Sequence, residues 1–194
     1  EDGKADYSSE VGVLGSAGGD ALVVIGYLDQ GGKGMIEAAL DSGSFDLFVL
    51  SDGMIGQSIA DAIGADLNGS FGSLPGTVSE GASQFAAISG DIDPTAPYAG
   101  ESYDAAALIV LAMQAGGSAD RMSVVSNIKK VANAPGEQIL PGELAKGLSI
   151  LASGGDIDYQ GATDVELSTF GDAAGSFKEV EVQGGKFEMI QIRN

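Results

Sequence analysis

Two uninterrupted apolar runs constrain this chain more than any other feature: Asp20 to Tyr27 (DALVVIGY) and Phe45 to Leu50 (FDLFVL). A strand with one wet face alternates apolar and polar residues. A run without alternation is covered on both faces, as in a parallel sheet. The intervening segment is helical in pattern: Gly32 to Leu40 puts Met35, Ile36, Ala39 and Leu40 on one side, and Gly43 ends it. Met54 to Ile63 carries Ile55, Ile59 and Ile63 four residues apart, a second helical face. Asn68 to Leu74 reads as a weaker third strand ending at Pro75-Gly76, and Tyr7 to Leu14 as a short helix behind Asp6, a good N-cap residue. Strand, helix, strand, helix, strand predicts an α/β fold with a parallel sheet and right-handed crossovers.

The pattern changes after Gly76. Thr77 to Pro97 reads as a short helix and a loop; Tyr103 to Ala115 (YDAAALIVLAMQA) as an apolar helix with Ser102 as N-cap. Gly116-Gly117 stops it, Ser118 caps a helix through Val131, and Pro141 opens another over Gly142 to Ala152. Phe177 to Val182 and Lys186 to Ile192 alternate with period two around Gln183-Gly184-Gly185, which predicts a β-hairpin with a charged outer face. A helical segment between two strand-bearing ones predicts a chain that crosses between two lobes.

Composition removes several chemistries. The chain has neither Cys nor His, so thiolate catalysis, Cys-based zinc sites and the Ser-His-Asp triad are excluded. Its 28 acidic and 9 basic residues give a net charge of −19, which repels nucleic acid and anionic membranes and favours solubility, including in a salty medium. No apolar run reaches the roughly 20 residues of a membrane span. Glu1 to Glu10 is too charged and polar for a secretion signal.

Open parallel sheets bind ligands beyond the C-terminal ends of their strands. The first strand ends at Gly26-Tyr27-Leu28-Asp29 and the second at Ser51-Asp52-Gly53-Met54. Asp52 could hold an ammonium group through a charge-assisted hydrogen bond, with Tyr27 stacked over it. Each has a plainer reading: an Asp after a strand more often caps the next helix, and a lone Tyr is more often a packing residue. Asp91-Ile92-Asp93 and Asp156-Ile157-Asp158 lack the remaining spacing of a calcium loop, and Gly31-Gly32-Lys33-Gly34 lacks that of a phosphate loop.

GGDALVVIGY, FDLFVLSDGM, NGSFGSLPG, ESYDAAALIVLAMQAGGS and FKEVEVQGGKFEMI, in that order, resemble the C-terminal half of the type I periplasmic solute-binding proteins of the branched-chain amino acid (Leu/Ile/Val) ABC transporter family. The resemblance implies two Rossmann-like lobes with parallel sheets, only partly represented in this chain. Residues 1–74 would form part of the second lobe, 75–161 a helical return through the first, and 162–194 the last crossing and the hairpin of the second. It implies an extracytoplasmic protein of the periplasm, not an enzyme. Such a protein closes on a branched-chain or aliphatic amino acid and docks on a membrane permease, without a cofactor, nucleic acid or membrane insertion. The family's acidic contact to the ligand ammonium falls on Asp52, where Asp is one methylene shorter than the Glu often found there; its aromatic contact falls at Tyr27-Leu28, and Met54 is a wall candidate. A cytoplasmic small-ligand sensor on the same fold is the alternative.

Overall fold

The computed structural model describes residues 3–4, 6–173 and 175–193. The chain divides into two compact units, one made by residues up to Pro75 together with Phe177–Arg193, the other by Gly76–Ser176.

The first unit is built on a five-stranded sheet in the order β1-β2-β3-β6-β7, with β1 Leu22–Val24, β2 Phe48–Leu50, β3 Phe71–Pro75, β6 Phe177–Gln183 and β7 Lys186–Arg193. The pairs β1–β2 and β2–β3 are parallel, as the apolar runs require; β6 joins β3 antiparallel and β7 returns along β6. The hairpin turn is Gly184-Gly185, with φ of 60° and 78°. Two successive left-handed residues make the tight turn that matches strand twist. The ladders are shorter than the apolar runs: Ile25, inside the first run, is 84% exposed.

Helices α1 Ser8–Ala17, α2 Gly32–Ser42 and α3 Gln57–Ile63 cover one face of this sheet. Val11, Ile36, Ala39 and Ile59 pack there with Leu22, Val24, Phe48, Leu50 and Leu74 in one core. Each such Val, Leu, Ile or Phe side chain, fully buried, contributes roughly 1.5–3 kcal/mol, and the Ala39 methyl less. Gly43 stops α2 in the left-handed conformation, φ 64°, its N–H returning to Ala39 and Leu40. Asp6 sits one residue further out than a cap; its Oδ1 accepts the Ser8 N–H at 2.9 Å. The opposite sheet face carries Val23, Val49 and Phe71, which are cross-strand neighbours. Val23 is 61% and Phe71 39% exposed, so these strands are covered on one face only, where the unbroken apolar runs predict cover on both.

The second unit holds α4 Glu80–Ile88, α5 Ala99–Gly116, α6 Arg121–Ala132, β4 Glu137–Ile139, α7 Leu144–Ala152 and β5 Ile157–Tyr159. Strands β4 and β5 pair in parallel, with α7 as their crossover, where the sequence predicts helices and loops only. Leu108 and Leu111 of α5 pack with Val131 of α6 and with Ile139, Ile157 and Tyr159. Two predicted caps are corrected. Tyr98, at φ 65°, precedes α5, and Ser102 lies inside the helix with its N–H on the Tyr98 carbonyl. Asp120 rather than Ser118 caps α6, accepting the Met122 N–H at 2.9 Å. Ile109, Val110, Met122 and Val125 on α5 and α6 are exposed. Among the described residues no helix is long and apolar enough to cross a membrane.

Candidate ligand-binding site

Parallel pairing brings the C-terminal tips of β1 and β2 to the same edge of the first unit. The Ser51 N–H donates to Val24 O at 3.1 Å, carrying the ladder one step past β2. The Ser51 hydroxyl then bridges both backbone groups of Gly26, accepting its N–H at 3.3 Å and donating to its carbonyl at 3.4 Å. Both tips end in a single 3-10 turn: Leu28–Gln30 after β1 and Asp52–Met54 after β2.

Those turns decide where the four predicted side chains go. Tyr27 stands at the surface, 60% exposed, its carbonyl accepting from Gln30 and Gly32 at 3.2 and 3.1 Å. Asp52 is half-buried at the start of the neighbouring turn, and its Oδ1 accepts the Gly53 N–H at 2.8 Å. It does not cap the following helix, which begins at Gln57 behind Gly56. Leu28 is half-buried against the first unit's core. Met54 is corrected most: it is fully enclosed, because the chain makes a 3-10 turn where a helix is predicted and points the thioether under Gly32. A Cβ at Gly32 would collide with the Met54 sulfur, so Met54 supports the turns from below rather than lining their surface.

The glycines of Gly31-Gly32-Lys33-Gly34 are explained by packing. A side chain at Gly31 or Gly34 would meet Tyr7, and one at Gly32 would meet Met54. Gly53 has the same role between the two tips: a Cβ there would stand 2.5 Å from the Gly26 carbonyl oxygen and 2.8 Å from Cδ1 of Tyr27. The sequence signal for this close approach is a Gly directly after the candidate acid, a pattern too common to single Gly53 out. The strand tips thus offer a carboxylate and an aromatic ring, which can hold a cation beside an apolar group. The described residues contain no group of His, Cys, Asp or Glu able to hold a metal.

Two other features have their own explanations. A trough of about 440 Å³ on the bare sheet face is lined by Val49, Phe71, Ser73, Phe177, Glu179 and Arg193. Its charged rim is internally paired, Arg193 Nε donating to Glu179 at 2.6 Å. In the second unit, the α5 residue Asp104 is 2% exposed and accepts four hydrogen bonds. Tyr159 OH and Ala162 N–H reach Oδ1 at 2.8 Å each; Thr163 N–H and Oγ1 reach Oδ2 at 2.9 and 2.7 Å. Burial pushes its carboxyl above the ordinary value, and the donors, Ala162 first, pull it back. Burial, then the Asp104 charge, raises the Tyr159 phenol, which keeps its proton and donates it. This is a clamp between α5 and the loop after β5. Its sequence signal was a single acid on the otherwise apolar YDAAALIVLA helix.

No protein-family profile matches the chain. The leucine-binding protein LivK of Thermotoga maritima superposes with a TM-score of 0.70 at 21% identity, over 99% of this chain and 49% of LivK. An ABC-transporter solute-binding protein of Rhodopseudomonas palustris, in complex with 4-hydroxybenzoate, gives 0.68 at 16% identity, over 98% of this chain and 50% of that one. A substrate-binding protein of a chemotactic signal transduction system, BasB of Halobacterium salinarum, is 32% identical over 79 residues, 40% of this chain and 19% of BasB. The chain thus spans about half the length of the solved structures it matches. It has the corresponding half of the type I periplasmic-binding-protein fold, as the sequence resemblance predicts.

Proposed function

We propose that this chain is part of an extracytoplasmic solute-binding protein that captures a branched-chain or aliphatic amino acid, or a close analogue, for an ABC importer. The observation that carries the reading is the convergence of the half-buried Asp52 carboxylate and the exposed Tyr27 ring on the tips of two paired parallel strands. Asp52 takes the ligand's ammonium, Tyr27 covers its aliphatic part, Leu28 adds apolar surface beside the ring, and Met54 holds both turns from beneath. The first unit belongs to one lobe of the whole protein and the second unit to the other. The site acts by binding and release. A chain without His or Cys lacks the commonest general base and the thiolate nucleophile, which supports a carrier rather than an enzyme, and no cofactor enters the reading. The ligand-loaded protein presents itself to a membrane permease. The likeness to BasB favours a second reading, in which the loaded protein is read by a chemotaxis partner.

The test is calorimetric titration of the polypeptide encoded by the complete gene with L-leucine, 4-hydroxybenzoate and 4-methylpentanoate, which lacks the ammonium. Tight binding of L-leucine alone supports the reading. Tight binding of 4-hydroxybenzoate with no response to L-leucine rejects it, since a carboxylate at the strand tips repels an anion that brings no cation.

A further inference from the structure

We propose that Gly53 is the positioning residue of the strand-tip site: it sets the distance between the Asp52 carboxylate and the Tyr27 ring, and thereby selects ligands whose primary ammonium sits beside a compact apolar group. This deepens the ligand-binding reading above and rests on it.

Three observations meet at this residue. Its N–H donates to Asp52 Oδ1 at 2.8 Å, so it orients the carboxylate. Its missing side chain is the seat of the ring, since a Cβ would lie 2.8 Å from Cδ1 and 3.0 Å from Cε1 of Tyr27. And Gly53 is absent from the residues with positive φ. Its backbone is therefore one that any L-residue adopts. Glycine is required here for space and not for conformation.

The backbone on both sides of this contact is tied down. The Asp52 turn is closed by Met54 N–H to Ser51 O at 2.9 Å and Ile55 N–H to Asp52 O at 3.1 Å. It is tied to the opposite tip by the Ser51 hydroxyl on Gly26. The Tyr27 turn is closed by Gly32 N–H to Tyr27 O at 3.1 Å and rests on the buried Met54. A methyl group at position 53 must therefore separate the two tips, by moving either the Gly26 carbonyl or the ring. A ligand that touches both groups at once is sensitive to that separation; one that touches only the ring is not.

The experiment compares wild type with Gly53→Ala in the polypeptide encoded by the complete gene. L-leucine should bind about tenfold or more weaker, as expected when a charge-assisted hydrogen bond is stretched. Its preference over 4-methylpentanoate should collapse by a similar factor. In a Tyr27→Ala background the same glycine change should cost less, because the ring is no longer there to be displaced. An unchanged leucine-to-4-methylpentanoate ratio, or equal effects in both backgrounds, overturns the proposal and leaves Gly53 as ordinary packing. A measurement on unliganded wild type guards against a variant that does not fold: nuclear Overhauser effects between the Tyr27 ring and the Gly53 α-protons are expected, and their absence also overturns the proposal. If wild type binds no L-leucine while those contacts are present, the ligand reading has failed and the positioning geometry has not.

Discussion

Replacing Asp104 by Ala should destabilise the second unit by about 3 kcal/mol. The carboxylate accepts from Tyr159 OH, Ala162 N–H and both donors of Thr163. Tyr159 and Ala162 are 1% and 3% exposed, so their donors have no water to turn to. Each stranded buried donor costs roughly 1–3 kcal/mol. Thr163 is half-buried and recovers part of its bonding from solvent. Against this, removing a charge that burial disfavours returns part of the cost. For a unit of this size, 3 kcal/mol lowers the melting temperature by roughly 12–24 °C. Thermal unfolding followed by far-ultraviolet circular dichroism measures the fall. Hydrogen exchange at the Ala162 and Thr163 amides locates it, since these should lose protection before the α5 interior does. A loss below about 1 kcal/mol, or unchanged exchange at both amides, would refute the clamp reasoning.

Two further outcomes follow from charge. The Glu10 carboxyl is held at about 2, first by the hydrogen bond from Lys4 and then by Ser9. A folded value below the unfolded one gives a contribution that is present above the ordinary carboxylate range and lost as pH falls through about 2. Carboxyl resonances titrated by NMR should show that midpoint, and Lys4→Met should return it toward 4.5, the ordinary value. The net charge of −19 predicts that salt stabilises the chain, because shortening the Debye length from about 10 Å at 0.1 M to 3 Å at 1 M screens self-repulsion. The melting temperature should rise by about 5 °C over that range, equivalent to ~1 kcal/mol in one unit; a flat or falling profile would contradict the charge argument.

The parallel core of the first unit was legible because Leu22, Val24, Phe48 and Leu50 lie in short, Val- and Phe-rich apolar runs alternating with helical segments; the cover on both faces that such runs predict was not, since Val23 is 61% exposed. The hairpin was legible because two glycines in succession satisfy its turn. Strands β4 and β5 were not: three residues each, Glu137–Ile139 and Ile157–Tyr159 are too short to show a period, and tertiary packing against α5 and α6 makes them strands. The start of α5 was missed because the chain enters it through a left-handed tyrosine, Tyr98, which no propensity favours. At the strand tips, the sequence places Tyr27 and Asp52 where the chain leaves β1 and β2, as the structure has them, but periodicity does not separate a helix beginning at Met54 from a 3-10 turn ending there. That single difference buries Met54. The close approach at Gly53 is a matter of space between two loops distant in sequence, and no one-dimensional pattern carries it.

The most direct test of the ligand site is the affinity of L-leucine for the polypeptide encoded by the complete gene, measured by calorimetry in wild type and in Asp52→Ala. A charge-assisted hydrogen bond lost from the ammonium predicts about 10- to 100-fold weaker binding. The unliganded melting temperature of both proteins, measured alongside, separates a lost ligand contact from a lost fold, since Asp52 Oδ1 also accepts the Gly53 N–H. Equal affinity in the two proteins would contradict the account.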